Sequence, residues 1–174
     1  MSAISLVFIV LQLCFIVYLL YYIIAFLSGA PFVPSTNHTA DAMIRLADIK
    51  KGQKIYDLGS GDGKLLLLAA ARGATAVGFE INPFLVFLSA VRTLGSPYRG
   101  RIVTTWKNFW NADIHDADVL FVYLLPWRME RLANKLKKET KPGTIIVSNS
   151  FIFPKWKILR QDIKQHVYVF RMPN

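Results

Sequence analysis

The chain has 174 residues, a formal net charge of +10, one cysteine and 53% hydrophobic residues. That length suits one domain with an appendage. The lone Cys14 excludes an intramolecular disulfide framework and any cysteine-based zinc site. No metal is expected, because His38, His115 and His166 are scattered without ligand spacing. Charge is sharply partitioned: residues 1–40 contain no Asp, Glu, Lys or Arg, so all 21 basic and 11 acidic residues fall from Asp41 onward. The composition describes an uncharged leader joined to a basic domain of ordinary globular make-up.

From Ile4 to Leu27 the only polar side chains besides tyrosine hydroxyls are Ser5 and Gln12. At roughly 1.5 Å per residue this run makes about 36 Å of helix, enough for a hydrocarbon core of about 30 Å. Tyr18, Tyr21 and Tyr22 lie near its C-terminal end, where an aromatic belt belongs. A secretory signal peptide is the competing reading, since Ser28-Gly29-Ala30 offers small residues. The long apolar run, the lack of a preceding basic residue and Pro31 favour an uncleaved single-pass anchor held in the membrane through residues 4–27. Arg45, Lys50 and Lys51 follow it, which places the domain on the cytoplasmic or organelle-matrix side. The expected division is an anchor over 1–29, a proline-bearing link over 30–38 and a domain over 39–174.

Within the domain, Thr39 can cap a helix reaching Asp48, with Met43, Leu46 and Ala47 inward. Lys54–Leu58 reads as a strand, and Leu65–Ala71 as a helix ended by Gly73. Ala76–Glu80 is a second strand, and Pro83 opens a helix to Leu94. Further strands are expected at Arg101–Trp106 and Val119–Leu124, the latter uncharged and buried on both faces. An amphipathic helix follows over Arg128–Glu139, then strands at Gly143–Val147, Lys157–Leu159 and Val167–Phe170. Strand and helix alternate, which predicts an α/β fold: a doubly wound, mostly parallel seven-stranded sheet preceded by one transmembrane helix.

The informative stretch is Ile55-Tyr56-Asp57-Leu58-Gly59-Ser60-Gly61-Asp62-Gly63-Lys64. Here a strand runs into glycines at alternate positions and then into a helix. A nicotinamide-binding turn would carry its third glycine at position 64, where this chain has lysine. Asp57 precedes the turn and Glu80 closes the second strand, where an acid can grip ribose hydroxyls beyond the carboxyl ends of the sheet. The combination suits a ligand with a ribose and a cationic amino-acid tail but no pyrophosphate. S-adenosylmethionine fits that description.

These stretches resemble the class I S-adenosylmethionine-dependent methyltransferases, with a Rossmann-like fold. More narrowly, the chain resembles the family of the ATP synthase c-subunit lysine N-methyltransferase and the archaeal protein-lysine methyltransferases. The resemblance runs through Pro31-Phe32-Val33-Pro34-Ser35, the glycine turn and Val77-Gly-Phe-Glu-Ile-Asn-Pro83. It continues through Lys107-Asn-Phe-Trp110, Tyr123-Leu-Leu-Pro126 and Phe151-Ile-Phe-Pro-Lys-Trp156. It implies that Asp57, Gly59, Ser60, Gly61 and Gly63 cradle the methionine moiety. It also implies that Glu80 holds the ribose with Asn82 beside it, and that Asn108 faces the adenine amine with Phe109 and Trp110 against the ring. Position 108 departs from the usual Asp, though an amide oxygen still accepts a hydrogen bond.

Methyl transfer to a lysine needs alignment, exclusion of water and a desolvated channel that lowers the ammonium pKa. Candidates to line such a channel are Phe32 and Pro34, then Tyr123, Pro126 and Trp127, then Phe153 and Trp156; for each, plain core packing competes. The sequence Tyr-Leu-Leu-Pro at the fourth strand end lacks the Asn/Asp-Pro-Pro-Tyr of amide and adenine methylases. The basic excess is uneven: residues 41–127 carry a net +2 and residues 128–174 a net +8. That excess is a solvated face, an attraction to an anionic leaflet, or less readily a nucleic-acid surface, for which no recognition motif is present.

The resemblance implies a membrane-anchored protein-lysine methyltransferase acting on a membrane or membrane-proximal protein, with no nucleic-acid partner. Two alternatives remain open at this point. One is methylation of a lipophilic small molecule such as a quinone precursor or phospholipid headgroup. The other is a non-catalytic scaffold that binds S-adenosylmethionine.

Overall fold

The computed structural model describes residues 2–28 and 32–173. Gly29, Ala30 and Pro31, which belong to the expected link and to the signal-peptide alternative, lie outside the described residues. The leader is a single helix, α1 (Ala3–Ser28). Its segment Ala3–Ile24 has a mean hydropathy of 2.7, and none of its most apolar stretch is buried against the rest of the chain. Length and composition alone make it a candidate span.

The domain begins with α2 (Asn37–Ala47), three residues earlier than a Thr39 cap would place it. Thr36, not Thr39, is the cap: its Oγ1 accepts the Thr39 amide at 3.1 Å. Two hydroxyls three residues apart offer two cap positions, and the pattern alone does not choose between them. Asp48 ends the helix in the left-handed region at φ 53°. Then come β1 (Lys54–Leu58), α3 (Lys64–Ala71), β2 (Thr75–Glu80), α4 (Pro83–Leu94) and β3 (Ile102–Trp106). After β4 (Val119–Val122) follow α5 (Met129–Glu139), β5 (Ile145–Asn149), β6 (Arg160–Asp162) and β7 (Val167–Arg171).

The seven strands form one sheet in the order β3-β2-β1-β4-β5-β7-β6. β1 to β5 are parallel, while β7 runs antiparallel between β5 and β6. The strand expected at Lys157–Leu159 forms three residues later, and the one at Gly143–Val147 two residues later. Both shifts follow from turn geometry: Lys155 and Gly143 adopt positive φ, so the chain is still turning where the apolar pattern starts. Short 3-10 turns at Arg99–Arg101, Phe109–Asn111 and Pro126–Arg128 carry no periodicity that the sequence could show.

β4 is central and buried on both faces. Val119 and Phe121 pack with α2 and α3 on one side, while Leu120 and Val122 pack with α5 on the other. Leu132 and Leu136 of α5 are fully buried, each contributing about 2 kcal/mol of apolar burial. This two-sided packing fixes the carboxyl ends of β1, β2 and β4 side by side.

Candidate active site

A cleft opens at those carboxyl ends, enclosing about 620 Å³ that includes space open to solvent. Its walls are Asp57 from β1, Gly59 to Asp62 from the turn, Glu80 from β2, and Val122 and Tyr123 from β4. Phe32, Val33, Pro34 and Ser35 close the remaining side.

The turn is shaped by backbone conformations that side chains disfavour. Gly59, Gly61 and Gly63 have φ of 95°, 53° and 77°. The amides of Gly59 and Ser60 both donate to the Phe79 carbonyl, at 2.9 and 3.1 Å, which docks the turn on the end of β2. A Cβ on Gly61 would come within 2.7 Å of the Phe32 ring. At Gly63 the close approach is toward Ser89 of α4 instead, with Oγ 2.2 Å from such a Cβ. Gly63 therefore lets the start of α3 approach Ser89 of α4, and it is not among the residues lining the cleft.

Glu80 organises the acidic side. One carboxylate oxygen accepts the Gly61 amide at 2.9 Å, and the other accepts the Ile81 and Asn82 amides at 2.8 Å each. Burial raises the Glu80 carboxyl above its usual range, and these backbone donors partly offset the rise. Asp57 is pushed up to about 8, chiefly by burial and then by the nearby charges of Glu80 and Asp62. The third acid, Asp62, is paired with Arg92 at 2.7 Å.

A buried acid pair among apolar walls favours a cation that also offers hydroxyls. S-adenosylmethionine fits: an ammonium group would lie against Asp57 and ribose hydroxyls against the free lone pairs of Glu80. Amides in the first turn of α3 suit the ligand's carboxylate. The Ser60 hydroxyl is buried with no hydrogen-bond partner among the described residues, a polar atom open to a ligand.

Of the residues expected from the sequence, Phe32, Pro34, Asp57, Gly59, Ser60, Gly61, Glu80 and Tyr123 meet at this cleft. Asn82 caps α4 by accepting the Phe84 amide at 2.9 Å. Asn108 accepts the Trp110 amide at 3.0 Å, holding the short turn beyond β3. Phe109 is buried in the core, and the Trp110 ring lies 4.8 Å from the Phe109 ring and 4.2 Å from the Arg131 guanidinium. Pro126 and Trp127 are exposed beside the cleft strand end, and Trp127 touches Phe26 of α1 at 5.5 Å.

Phe153 lies apart from the cleft. It is 1% exposed in the core, stacked on Trp156 at 4.5 Å and edge-on to Phe170. Trp156 lines a different, basic cavity together with Lys137, Lys155, Lys157 and Arg171. Aromatic loop residues look alike in sequence whether they pack inward or toward a site. Asp62 lies within the turn expected to cradle the methionine moiety, and the residues missed were Val33, Ser35, Met43, Lys64, Leu65 and Val122. Val33 and Ser35 gave a signal as members of the Pro31–Ser35 stretch, and Lys64 as the lysine standing where a dinucleotide turn would have glycine.

A profile of the family described as "ANTKMT methyltransferase domain" matches residues 57–160. The ATP synthase c-subunit lysine N-methyltransferase of Mus musculus is 31% identical over 72% of this chain and 51% of its own length. A protein-lysine N-methyltransferase of Saccharolobus islandicus is 33% identical over 76% of this chain and 83% of its own. The chain thus spans about half the length of the mammalian relatives. Among solved structures, an RNA methyltransferase from Salinibacter ruber in complex with S-adenosyl-L-homocysteine aligns at a TM-score of 0.78. It shares 33% identity over 82% of this chain and 95% of that one. Glycine turn, paired acids and sheet order thus coincide with homology across the domain, and the chain belongs to the ANTKMT methyltransferase domain family, a group of S-adenosylmethionine-dependent methyltransferases.

Proposed function

We propose that this chain is a membrane-anchored protein-lysine N-methyltransferase whose acceptor is a lysine of a membrane or membrane-proximal protein. The observation that carries the reading is the buried Asp57–Glu80 cleft in a chain whose relatives are named lysine N-methyltransferases. α1 supports anchoring by its length and apolar composition. In this reading residues 1–29 anchor the chain, 30–38 link it and 39–174 carry the transfer, on the cytoplasmic or organelle-matrix side.

The bound cofactor supplies an electrophilic sulfonium methyl group. The chain's own residues then do three things. Asp57 and Glu80 hold the ammonium and ribose ends, with Ser60 and the turn amides completing the grip. Phe32, Val33, Pro34 and Tyr123 exclude water from the reacting end, and Trp127 and Pro126 border the entrance. This desolvation lowers the pKa of an incoming lysine ammonium, so that the neutral amine attacks in line.

The test is transfer of labelled methyl from S-adenosylmethionine into membranes by the purified full-length chain, followed by separation of protein, lipid and RNA. Methyl-lysine in the protein fraction supports the proposal. Label only in lipid sinks it in favour of a lipophilic acceptor, and label only in RNA in favour of the chemistry named for the Salinibacter protein. Cofactor binding without transfer to any fraction leaves the scaffold.

A further inference from the structure

Seven large apolar side chains stand exposed around one edge of the domain, and α4 also exposes Phe87, Val91 and Leu94 along its length. Phe84 follows β2, Trp106 ends β3, Trp127 follows β4 and Ile152 follows β5; they are 64, 62, 57 and 52% exposed. Phe32 and Val33 beside the cleft are 43 and 51% exposed, and Ile163 in the β6–β7 turn 66%. That turn belongs to the same edge, because Val167 at the start of β7 pairs with Asn149 at the carboxyl end of β5. Each of these positions lies at the carboxyl-end rim where the cleft opens. Three of the seven precede a cation in sequence: Trp106-Lys107, Trp127-Arg128 and Ile163-Lys164.

α1 joins the domain at this same rim. Phe26 packs on Trp127, and the Arg128 guanidinium donates to the Leu27 carbonyl. Exposed aromatic and aliphatic side chains next to cations form the pattern of an interfacial surface, where rings sit at headgroup level and cations meet anionic lipid. An apolar rim this wide marks a contact face.

We propose that the carboxyl-end rim rests in the headgroup layer of an anionic bilayer, so that the cofactor cleft opens onto the membrane surface and takes its lysine from there. This rests on reading α1 as a membrane span and the cleft as a lysine-methylating site. It differs from an assignment of membrane contact to the basic 128–174 segment as a whole: the contact face is an edge, contributed to by loops from both halves of the domain.

The experiment uses the full chain in vesicles of phosphatidylcholine and phosphatidylglycerol, with Cys14→Ser as background. An environment-sensitive fluorophore is placed at Phe84→Cys, Ile152→Cys or Ile163→Cys, and for comparison at Arg72→Cys or Gly100→Cys on the opposite edge. Quenching by lipids brominated near the headgroup is expected to be at least roughly threefold greater at the rim positions. Equal quenching at both edges overturns the proposal. Native Cys14, labelled separately, reads the span: deep quenching there with an unquenched rim refutes the rim alone, and no quenching at either refutes both.

Rim shielding that appears without lipid, as concentration rises, would assign the face to a second copy and overturn the bilayer. Phe84→Glu with Ile163→Glu should leave cofactor affinity unchanged, while methylation of a membrane-embedded acceptor falls roughly tenfold, about 1.4 kcal/mol. Equal loss toward a soluble lysine peptide would also count against it.

Discussion

The Lys64 ammonium donates to the Ser35 carbonyl at 2.7 Å, so the helix that follows the glycine turn holds the preceding link against the cleft. The same ammonium reaches the Asn37 side chain at 3.2 Å. Lys64→Met should free residues 32–36, speed their amide hydrogen exchange and weaken S-adenosylmethionine binding by roughly threefold to tenfold, the worth of one such bond. Unchanged exchange in that segment would show that the link is held by Phe32 packing instead.

Glu80 holds the turn and, in the proposed function, the ribose as well. Glu80→Ala removes the acceptor for three backbone amides and should weaken cofactor binding by roughly a hundredfold. Glu80→Gln keeps one oxygen acceptor and should fall between the two. Titration calorimetry reads the series, and equal affinities for wild type and both variants would refute the ribose assignment.

Asp57 sets a pH dependence whose sign is fixed. Its carboxyl ionises near 8 in the folded chain against an ordinary value of 3.8. Between these values the folded state keeps a proton that the unfolded chain has lost, so its stability contribution is full below about pH 4 and is lost as pH rises through 8. Asp57→Asn should therefore be more stable than wild type at pH 9 by chemical denaturation, and the advantage should shrink toward pH 5. In the proposed function the same variant should also bind cofactor far more weakly, because an amide cannot ionise against the arriving ammonium as the Asp57 carboxyl can.

Gly63→Ala places a methyl 2.2 Å from the Ser89 hydroxyl at a φ of 77°. The expected cost is roughly 2 kcal/mol from the clash and the strained backbone. Ser89→Ala in the same chain should restore part of it, which denaturation midpoints would show. No recovery would place the whole cost in the backbone.

The cleft was legible where chemistry and backbone geometry demanded particular residues. Asp57, Gly59, Gly61 and Glu80 stand where strand, turn and strand end required them, and α4 begins and ends as Pro83 and Leu94 suggested. Legibility failed where a residue's role depends on what lies across from it. Phe153 and Tyr123 both follow strands and are both aromatic. Only the packing of Phe170 against the first, and the open cleft beside the second, separates core from wall. The Trp110 ring illustrates the same point, since its guanidinium neighbour comes from α5, 21 positions along the chain. Strand starts slipped at β5 and β6 because left-handed turns precede them, a feature that apolar periodicity does not encode.

The antiparallel β7 has a consequence for how the domain assembles. It inserts between β5 and β6, so β5 remains an open edge until residues 167–171 arrive. The parallel strands β1 to β5 can pair first, with β4 returning from β3 to lie beside β1, while the β6–β7 hairpin covers β5 afterwards. With an apolar α1 already emerged ahead of the sheet, the interval before sealing is when Ile145–Asn149 offers unpaired backbone to any passing strand. Substitutions that weaken β7, such as a proline at Val169, should thus appear as aggregation during synthesis before they appear as loss of transfer.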